Sequence, residues 1–373
     1  MPKTSQDVVI TYASRTGIGK LNGMWDKVPA HDLGKLVIKD IIEQTQIKSD
    51  EIDEVILGQV LTSNAGQNPA RQAAIGAGIP NEKIAYIVNQ VCGSGLRAIV
   101  SGYQSIFLNN SKIVISGGQE SMSCCGKDLM IKDGLIDAFN NYHMGVTAEN
   151  IAKKWNISRK DQDQFSLESQ HKAKEAIKKG KFINEFIKDE KYSSYKDEHV
   201  RNNIKFEDLE KLKPVFRNDG TVTPGNSSGI NDGAAGVLIM KREESEKRNL
   251  DPLGKIVSWA SCGVQPALMG SGPIPSTIKA LEIANWGIKD LDIVECNEAF
   301  AAQTLAVIKE LKIPKDIVNL NGGAIALGHP IGASGCRIVV TLLHEMKKQN
   351  LRKGLATLCI GGGMGISMCF ERY

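Results

Sequence analysis

Residues 88–99, VNQVCGSGLRAI, place a cysteine where an extended apolar run meets a glycine-rich turn. The preceding AYIVNQV is typical of a buried strand, and GLRAIVSGYQSIFL after the turn has helical spacing. A thiol at the start of a helix lies near the positive end of the helix dipole and near unpaired N–H groups, and both favour the thiolate. Cys92 therefore has the setting of a nucleophile. On local grounds alone, a small buried residue at a crowded strand–helix junction is an equally good interpretation.

The same pattern recurs near the C-terminus. IVN at 87–89, then GSGLRAI and a strand ending in SGG, is matched by IVN at 317–319, then ASGCRIV and a strand ending in IGGG. The corresponding residues are Ser94 and Ser334, Gly95 and Gly335, and Arg97 and Arg337. Two similar halves packed about a pseudo-twofold axis bring equivalent loops together. We therefore expect the Cys92 loop to face the loop that carries His329.

Strand and helix patterns alternate along most of the chain, which predicts a layered α/β core. Residues 121–229 interrupt this alternation with polar, lysine-rich segments, including the charged amphipathic helix predicted from SRKDQDQFSLESQHKAKEAIKKG. The predicted organisation is an N-terminal α/β half over 1–120 and 230–251, an inserted loop domain over 121–229, and a C-terminal α/β half over 252–373. A chain of 373 residues is longer than one hydrophobic core usually holds, which agrees with this division.

The bulk composition is that of an ordinary globular protein and disfavours some functional classes. A formal net charge of +4 over 373 residues argues against a general nucleic-acid-binding protein. No apolar run reaches the length of a membrane span, and MPKTSQDVVI lacks the layout of a secretion signal, so we expect a cytoplasmic protein without membrane partners. The eight cysteines show no CxxC pair or disulfide-scaffold spacing, so we expect reduced thiols.

Three further motifs carry candidate chemical groups. In NGGAIALGHPIGASG, Pro330 bars the helical conformation for His329 and indicates a loop. In TLCIGGGMG, Cys359 ends a buried strand, and the following glycines leave N–H groups free to bind an oxyanion. In ECNEAFAAQ, Asn297 lies at a strand–helix boundary, where helix capping is the alternative role. A thiolate nucleophile with a second acid–base thiol suits thioester chemistry.

GSGLRA also fits the G-x-G-x-x-A fingerprint of dinucleotide-binding folds, because it follows a strand and precedes a helix. That fingerprint normally opens the first strand–helix unit, whereas a whole strand–helix stretch precedes it here. Only Glu120 loosely supplies the acidic residue expected at the end of the next strand. A nucleotide-binding oxidoreductase is therefore the disfavoured alternative.

Together, these motifs resemble those of the thiolase family, in particular its biosynthetic, acetoacetyl-CoA-forming members. The matching pieces are NQVCGSGLRA, GGQESMS, IKDGLIDAFNNYHMGVTAEN, TPGNSSGINDGAA, MGSGPIP, VECNEAFAAQ, NGGAIALGHPIGASG and LATLCIGGGMG. They run in family order from near residue 12 to the C-terminus. The resemblance implies a duplicated, five-layered α-β-α-β-α core with an inserted lid domain that covers the CoA site.

The resemblance also implies a role for each chemical residue. Cys92 looks like the nucleophile that takes the acyl group, and Cys359 looks like the thiol that moves the α-proton. His329 resembles the histidine that activates Cys92 and hydrogen-bonds the thioester oxygen. Asn297 is similar to the residue that holds a water in the same oxyanion site. The backbone N–H groups of Cys92 and Gly361 would form a second oxyanion site.

The implied reaction joins two acetyl-CoA molecules into acetoacetyl-CoA and CoA through an acetyl-cysteine, and the reverse is thiolysis. CoA is substrate and product, and no metal or other cofactor is implied. Short acyl chains are expected. The residues that resemble acyl-pocket or pantetheine contacts are His143 and Met144 for the acyl pocket, and Leu135, Ser228, Ala299 and Phe300 for pantetheine. The alternatives are a 3-ketoacyl-CoA thiolase of broader range and a lid-altered, CoA-binding paralogue of low activity.

The sequence departs from the family pattern in two places. Only seven residues, CCGKDLM at 124–130, stand where related enzymes carry a longer loop that joins dimers into tetramers, so we predict a homodimer. A second shortening falls around KYSSYKDEHVRNN, in the region that covers the CoA nucleotide. The family's arginine beside the adenine is matched by Lys213, which keeps the charge but loses planar stacking. These departures affect the predicted CoA affinity and assembly but not the four chemical residues.

Overall fold

Strands and helices alternate in the computed structural model, which describes residues 4–188 and 196–372. The strands are β1 Val8–Arg15, β2 Gly19–Lys20, β3 Glu54–Gly58, β4 Ile84–Val88, β5 Ile113–Ser121, β6 Asn231–Lys241, β7 Gly254–Gly263, β8 Ile293–Cys296, β9 Lys353–Ile360 and β10 Met364–Glu371. The helices are α1 Ala30–Thr45, α2 Pro69–Gly76, α3 Ser94–Phe107, α4 Lys127–Met130, α5 Met144–Trp155, α6 Arg159–Lys178, α7 Phe206–Glu210, α8 Arg242–Lys247, α9 Pro273–Ala284, α10 Ala301–Leu311, α11 Ala324–Leu327 and α12 Ile331–Gln349. Short 3₁₀ turns and a π-helical turn at Ile131–Leu135 connect some of them.

The strand order repeats between the two halves of the chain. The strands join in the order β4-β3-β5-β6-β1-β7-β10-β9-β8, with β2 paired to β6. In the first half β4, β3 and β5 are parallel, and β6 and β1 continue antiparallel. In the second half β8 and β9 are parallel, and β10 and β7 continue antiparallel. Strands β1 and β7 meet through only two residue pairs, so the halves are joined at that edge.

Five layers follow from how the helices cover this sheet. Helices α3 and α12 pack on each other between the two halves, and the largest apolar cluster lies around them. Helices α1 and α2 cover the outer face of the first half, and α9 and α10 cover the outer face of the second half. The predicted duplicated, five-layered α/β core is therefore confirmed.

Glycines allow the two central helices to approach closely. A Cβ placed on Gly95 of α3 would lie 2.8 Å from the backbone N of Cys336. A Cβ on Gly335 of α12 would lie 2.4 Å from the backbone N of Leu96. Because neither helix can carry a side chain at this crossing, the repeated glycines bring the two helix N-termini together.

The two halves differ at one strand. The stretch DIVNLNGG is the counterpart of the stretch that forms β4, but it makes only a single β-bridge, between Val294 and Val318. A 3₁₀ turn at Lys315–Ile317 follows Pro314, and Asn319 turns the backbone with a φ of 46°. Only Val318 is left extended between the 3₁₀ turn and Asn319, which is too short for a strand.

The segment predicted as an inserted domain over 121–229 lies between β5 and β6 and contains α4 to α7. Its charged amphipathic helix forms as α6, where Ser158 accepts from the N–H of Asp161 and the Asp161 carboxylate accepts from the N–H of Ser158. Part of the shortened stretch KYSSYKDEHVRNN lies outside the described residues. Within the described ranges, no helix is long and apolar enough to span a membrane.

Candidate active site

A cleft of about 240 Å³ lies between the loops that precede α3 and α12, the end of β9 and the inserted segment. The predicted site residues that line it are Cys92, Leu135, His143, Met144, Ser228, Ala299, Phe300, His329 and Gly361. The structure therefore brings Cys92 and His329 to one cleft, as the internal repeat predicted.

A strained turn presents Cys92 to the cleft. Val91 has a φ of 47°, in the left-handed region that a β-branched residue rarely adopts. The Ser94 hydroxyl braces this turn, because its Oγ accepts from the N–H of Gln90 at 2.9 Å and donates to the carbonyl of Val91 at 2.6 Å. Gly93 is required next, since a Cβ there would lie 2.4 Å from Cδ1 of Ile360.

The thiol of Cys92 is protonated at neutral pH. Burial, with a smaller contribution from the nearby charge of Glu120, raises its pKa to about 11. The N–H groups of Gly361 and of Cys92 itself act in the opposite direction but do not compensate for burial. The N–H groups at the helix start therefore favour the thiolate, as expected, but they do not outweigh burial, and a base is needed to remove the proton.

His329 is the candidate for that base. It is 5 % exposed, and its Nδ1 lies 2.5 Å from Oγ of Ser334. Ser334 donates its own proton to the Pro330 carbonyl at 2.9 Å, so its oxygen accepts the Nδ1–H of His329. Nε2 then carries a lone pair and has no protein partner within the described part of the chain. Burial, aided by the charge of Arg337, lowers the pKa of His329 to about 3 and keeps the ring neutral.

The backbone around His329 is held by Asn231 at the start of β6. Its Oδ1 accepts the His329 N–H at 2.9 Å, and its Nδ2 donates to the carbonyl of Gly19 at 2.9 Å. Gly328 has a φ of 111°, and a Cβ there would lie 2.5 Å from Cγ of Asn231. The sequence did not single out Asn231, because its partners lie 98 and 212 residues away along the chain.

Cys359 is fully buried near the end of β9 and lies beside the cleft without lining it. Its pKa is well above the ordinary value because of burial and because the thiols of Cys92 and Cys296 lie near it. It packs in an apolar cluster with Met269 and Phe300, which do line the cleft. Cys359 is therefore a neighbour of Cys92, and its thiolate would be a strong base.

Asn297 is fully buried, and neither atom of its carboxamide has a hydrogen-bond partner among the residues described. Its alternative role as a helix cap is wrong, because α10 begins at Ala301 with Phe300 at the N-cap position. Buried polar groups are rarely left unpaired in native proteins. The free carboxamide therefore indicates a position for a water or a ligand oxygen.

His143 offers a donor to the cleft. Its Nδ1 accepts the N–H of Gly145 at 3.1 Å at the start of α5, which leaves the proton on Nε2. The ring stacks on Phe216 with centroids 4.6 Å apart. Phe216 lines the cleft and was missed by the sequence argument, whereas Lys213, three residues earlier, is exposed and does not line it.

Glu120 lies at the end of β5 and is completely buried. Its carboxylate accepts backbone N–H groups from three residues of this chain, Val60, Leu61 and Gly332. It is therefore unable to reach a ribose. GSGLRA therefore has no acidic residue available to bind a ribose, which argues against the dinucleotide-binding interpretation.

Comparisons with known proteins agree along the whole chain. The model of the thiolase N-terminal domain matches residues 8–126 and 124–243, and that of the thiolase C-terminal domain matches residues 250–372. The break between the first two matches falls in the shortened loop. An acetyl-CoA acetyltransferase of Paracoccus denitrificans is 52% identical, covering 98% of this chain and 99% of that protein. A cytosolic acetyl-CoA acetyltransferase of Rattus norvegicus is 48% identical, covering 99% of each.

Two solved structures have the same fold. The acetyl-CoA acetyltransferase of Bacillus anthracis superposes with a TM-score of 0.95 at 39% identity, covering 98% of each chain. Human mitochondrial 3-ketoacyl-CoA thiolase in complex with CoA superposes with a TM-score of 0.95 at 38% identity, covering 99% of this chain and 98% of the other.

Proposed function

The chain belongs to the thiolase family, and from that premise we propose that it is an acetyl-CoA C-acetyltransferase. It condenses two acetyl-CoA molecules to acetoacetyl-CoA and CoA, and it catalyses the reverse thiolysis. The observation that carries this proposal is the unpartnered Nε2 of His329 in the cleft that Cys92 lines, with Cys359 beside it. The names of the two acetyltransferase relatives at 52% and 48% identity support the choice of substrate.

In the first half-reaction His329 Nε2 takes the proton of Cys92, and the thiolate attacks the carbonyl carbon of acetyl-CoA. The N–H groups of Cys92 and Gly361, which already point at this sulfur, stabilise the tetrahedral oxyanion. The bond between carbon and the CoA sulfur breaks, and the leaving CoA takes the proton of Cys359. The products are acetyl-Cys92, protonated His329 and the Cys359 thiolate.

In the second half-reaction the Cys359 thiolate removes an α-proton from a second acetyl-CoA. The high pKa of Cys359 makes this thiolate a strong enough base to act on a weakly acidic carbon. Protonated His329 and a water on Asn297 stabilise the enolate oxygen. The α-carbon attacks acetyl-Cys92, a carbon–carbon bond forms, and Cys92 leaves and recovers its proton from His329.

The cleft walls favour a short acyl chain. Met144 and Met269 line the cavity, and the stacked His143 and Phe216 close another side of it. A 3-ketoacyl-CoA thiolase of broader range would need space for a longer chain beside Cys92. The remaining substrate contacts that we propose, Leu135, Ser228, Ala299 and Phe300, belong to the same lining. Lys213 is proposed to meet the CoA nucleotide from the exposed segment next to Phe216.

The experiment that tests this function combines substrate range with two cysteine variants. The wild type should cleave acetoacetyl-CoA faster than 3-ketoacyl-CoA substrates of six or more carbons. Peptide mass spectrometry should detect acetyl-Cys92. Cys92→Ala should abolish both acylation and turnover. Cys359→Ala should still form acetyl-Cys92, more slowly, because CoA can leave as a thiolate without the Cys359 proton. It should lose condensation by about 1,000-fold or more, because the base that removes the α-proton is gone.

Each result has an opposite that would refute the proposal. Turnover by Cys92→Ala would exclude the acetyl-cysteine route. Faster cleavage of long 3-ketoacyl-CoA substrates would favour the broader thiolase, and acetylation without turnover in the wild type would favour the CoA-binding paralogue of low activity. A Cys262→Ala variant is the matched control, because that half-buried thiol does not line the cleft and should leave both measurements unchanged.

The enzyme is proposed to be a cytoplasmic homodimer. The relative in Rattus norvegicus is named as cytosolic, which supports the location. Strand β4 is an edge strand that exposes Ile84 and Tyr86, so its free backbone groups and apolar side chains suit pairing with a second copy. The loop at 124–130 has only seven residues, and this shortening relative to related enzymes is the reason that we propose a dimer rather than a tetramer.

A further inference from the structure

The carboxylate of Glu120 links three separate parts of the chain. Oε2 accepts the N–H of Val60 at 3.0 Å and the N–H of Gly332 at 2.9 Å, while Oε1 accepts the N–H of Leu61 at 3.2 Å. Val60 and Leu61 follow β3, and Gly332 is the second residue of α12. A side chain from the first half of the core therefore holds the start of the central helix that belongs to the second half.

The contact with α12 is close and directional. A Cβ on Gly332 would lie 2.8 Å from Oε2 of Glu120, so only glycine allows the carboxylate this near to the helix. The position also suits a negative charge, because the first turn of a 19-residue helix presents unpaired N–H groups and the positive end of its dipole. His329 lies three residues before Gly332, on the loop that leads into this turn.

The same carboxylate lies near Cys92. Its negative charge raises the pKa of the Cys92 thiol. Cys92 also packs against an apolar cluster that includes Val60, Leu61 and Ile331. Val60 and Leu61 donate N–H groups to Glu120, and Ile331 precedes the third donor, Gly332. Glu120 does not line the cleft, so any effect on the site passes through its charge and its hydrogen bonds rather than through contact with a substrate.

We propose that Glu120 is a positioning residue that fixes the His329 loop relative to Cys92 by anchoring the N-terminus of α12. This inference rests on the proposed function, in which His329 must reach the Cys92 proton. Neither the GSGLRA motif nor the GHP motif contains Glu120, yet its three bonds join the segment after β3 to the start of the helix that follows the GHP motif.

Glu120→Gln tests the proposal, because the amide keeps the shape but loses the charge and one acceptor oxygen. Above the Glu120 pKa of about 8, where the carboxylate is charged, we expect kcat for acetoacetyl-CoA thiolysis to fall about 10- to 100-fold, since a small misplacement of catalytic groups is costly. The KM should change less than about twofold, because no substrate contact is lost. The midpoint of the pH profile of Cys92 alkylation by iodoacetamide, followed by peptide mass spectrometry, should fall by about one unit.

The sign of that shift follows from the two ionisations. Burial raises the pKa of Glu120 to about 8, and the charge of Asp232 adds to this. Glu120 is therefore ionised at the higher pH where Cys92, with a pKa of about 11, loses its proton. Removing the negative charge makes the Cys92 thiolate easier to form, so the midpoint moves down.

Two further variants separate positioning from folding. Asp53→Asn removes a carboxylate that accepts the N–H groups of Lys112 at 2.8 Å and Ile113 at 3.2 Å, at the opposite end of β5. It should lower the thermal unfolding temperature without moving the alkylation midpoint or kcat. Glu120→Asp keeps the charge but draws the acceptor back by one methylene, so kcat should fall while the alkylation midpoint stays.

An unchanged kcat in folded Glu120→Gln, or equal effects of Asp53→Asn on kcat and the alkylation profile, would overturn the proposal. The alkylation profile is measured without turnover. It therefore tests whether the Glu120 charge acts on Cys92 even if the protein catalyses a reaction other than the proposed one. A wild type that never forms acetyl-Cys92 would instead refute the proposed function.

Discussion

At the residue scale, the 2.5 Å hydrogen bond between His329 Nδ1 and Ser334 Oγ determines which ring nitrogen is free. Ser334 corresponds to Ser94 in the internal repeat. The Ser94 hydroxyl donates to the carbonyl of Val91 before α3, and the Ser334 hydroxyl donates to the carbonyl of Pro330 before α12. In one half of the molecule the serine braces the nucleophile turn, and in the other half it fixes the tautomer of the base. The duplicated residue has thus acquired two complementary uses.

Ser334→Ala should therefore lower kcat about tenfold or more, because Nδ1 loses its acceptor and the ring can take the other tautomer or rotate. KM should be little changed, since the hydroxyl does not line the cleft. Steady-state thiolysis measures both constants. Ser94→Ala would serve as the partner variant, with its loss confined to the acylation rate of Cys92, and an unaltered kcat in Ser334→Ala would contradict the tautomer argument.

Histidine burial also gives a pH dependence. His329 has a pKa of about 3 in the folded protein against 6.5 for an ordinary histidine, so the unfolded chain binds more protons between these values. The contribution of this residue to stability therefore decreases as the pH falls below about 6.5. Thermal unfolding followed from pH 7 to pH 4 should show a steeper loss for the wild type than for His329→Asn, which has no such group.

At the scale of secondary-structure elements, the crossing of α3 and α12 sets how far apart the two catalytic loops lie. Gly335→Ala would place a Cβ 2.4 Å from a backbone nitrogen of α3, where neither atom can move aside. We expect a loss of about 1–3 kcal/mol in the free energy of unfolding, together with a lower acylation rate. Chemical denaturation and single-turnover acylation give the two quantities.

Gly76→Ala is the matched control for that substitution. Gly76 ends α2, and its nearest neighbour is the flexible side chain of Lys35 at 2.9 Å, so an added methyl group can be accommodated. Alanine also has the higher helix propensity, by up to about 1 kcal/mol. Equal destabilisation by both variants would show that the crossing has no special constraint.

The elements were predictable from sequence to the extent that their information is local. Apolar periodicity predicted β4, α3 and the charged helix α6, and short motifs predicted that Cys92 and His329 would meet. Asn231 and Glu120 were not predicted as site residues, because their roles depend on partners 59 to 212 residues away. The effect of burial on the pKa of Cys92 was not predictable from sequence, since burial outweighs the N–H groups of the helix start only once the surrounding layers are present.

At the scale of the whole molecule, the sheet is closed by helices on its faces but open at β4. Ile84 and Tyr86 are 59% and 37% exposed there, and Phe107 and Leu108 at the end of α3 are 60% and 64% exposed. Monomeric proteins rarely leave an apolar edge strand uncovered. The exposed edge and the shortened loop at 124–130 together favour a dimer over a tetramer.

Light scattering after size exclusion should therefore give twice the chain mass of 40.5 kDa at micromolar concentration. Tyr86→Glu should shift the population toward monomer, because two charges would meet across the strand pair. Ile278→Glu, an equally sized change at an exposed apolar position on α9, should leave the mass unchanged. A stable tetramer of the wild type would contradict the role given to the loop.

The burial that keeps Cys92 protonated has a consequence for the lifetime of the enzyme. Peroxide and other oxidants attack thiolates far faster than thiols, so a nucleophile with a pKa of about 11 resists oxidation between turnovers. In the proposed reaction the thiol becomes reactive only when His329 takes its proton in the presence of a thioester. We therefore expect the same packing that delays activation of Cys92 to slow its oxidation.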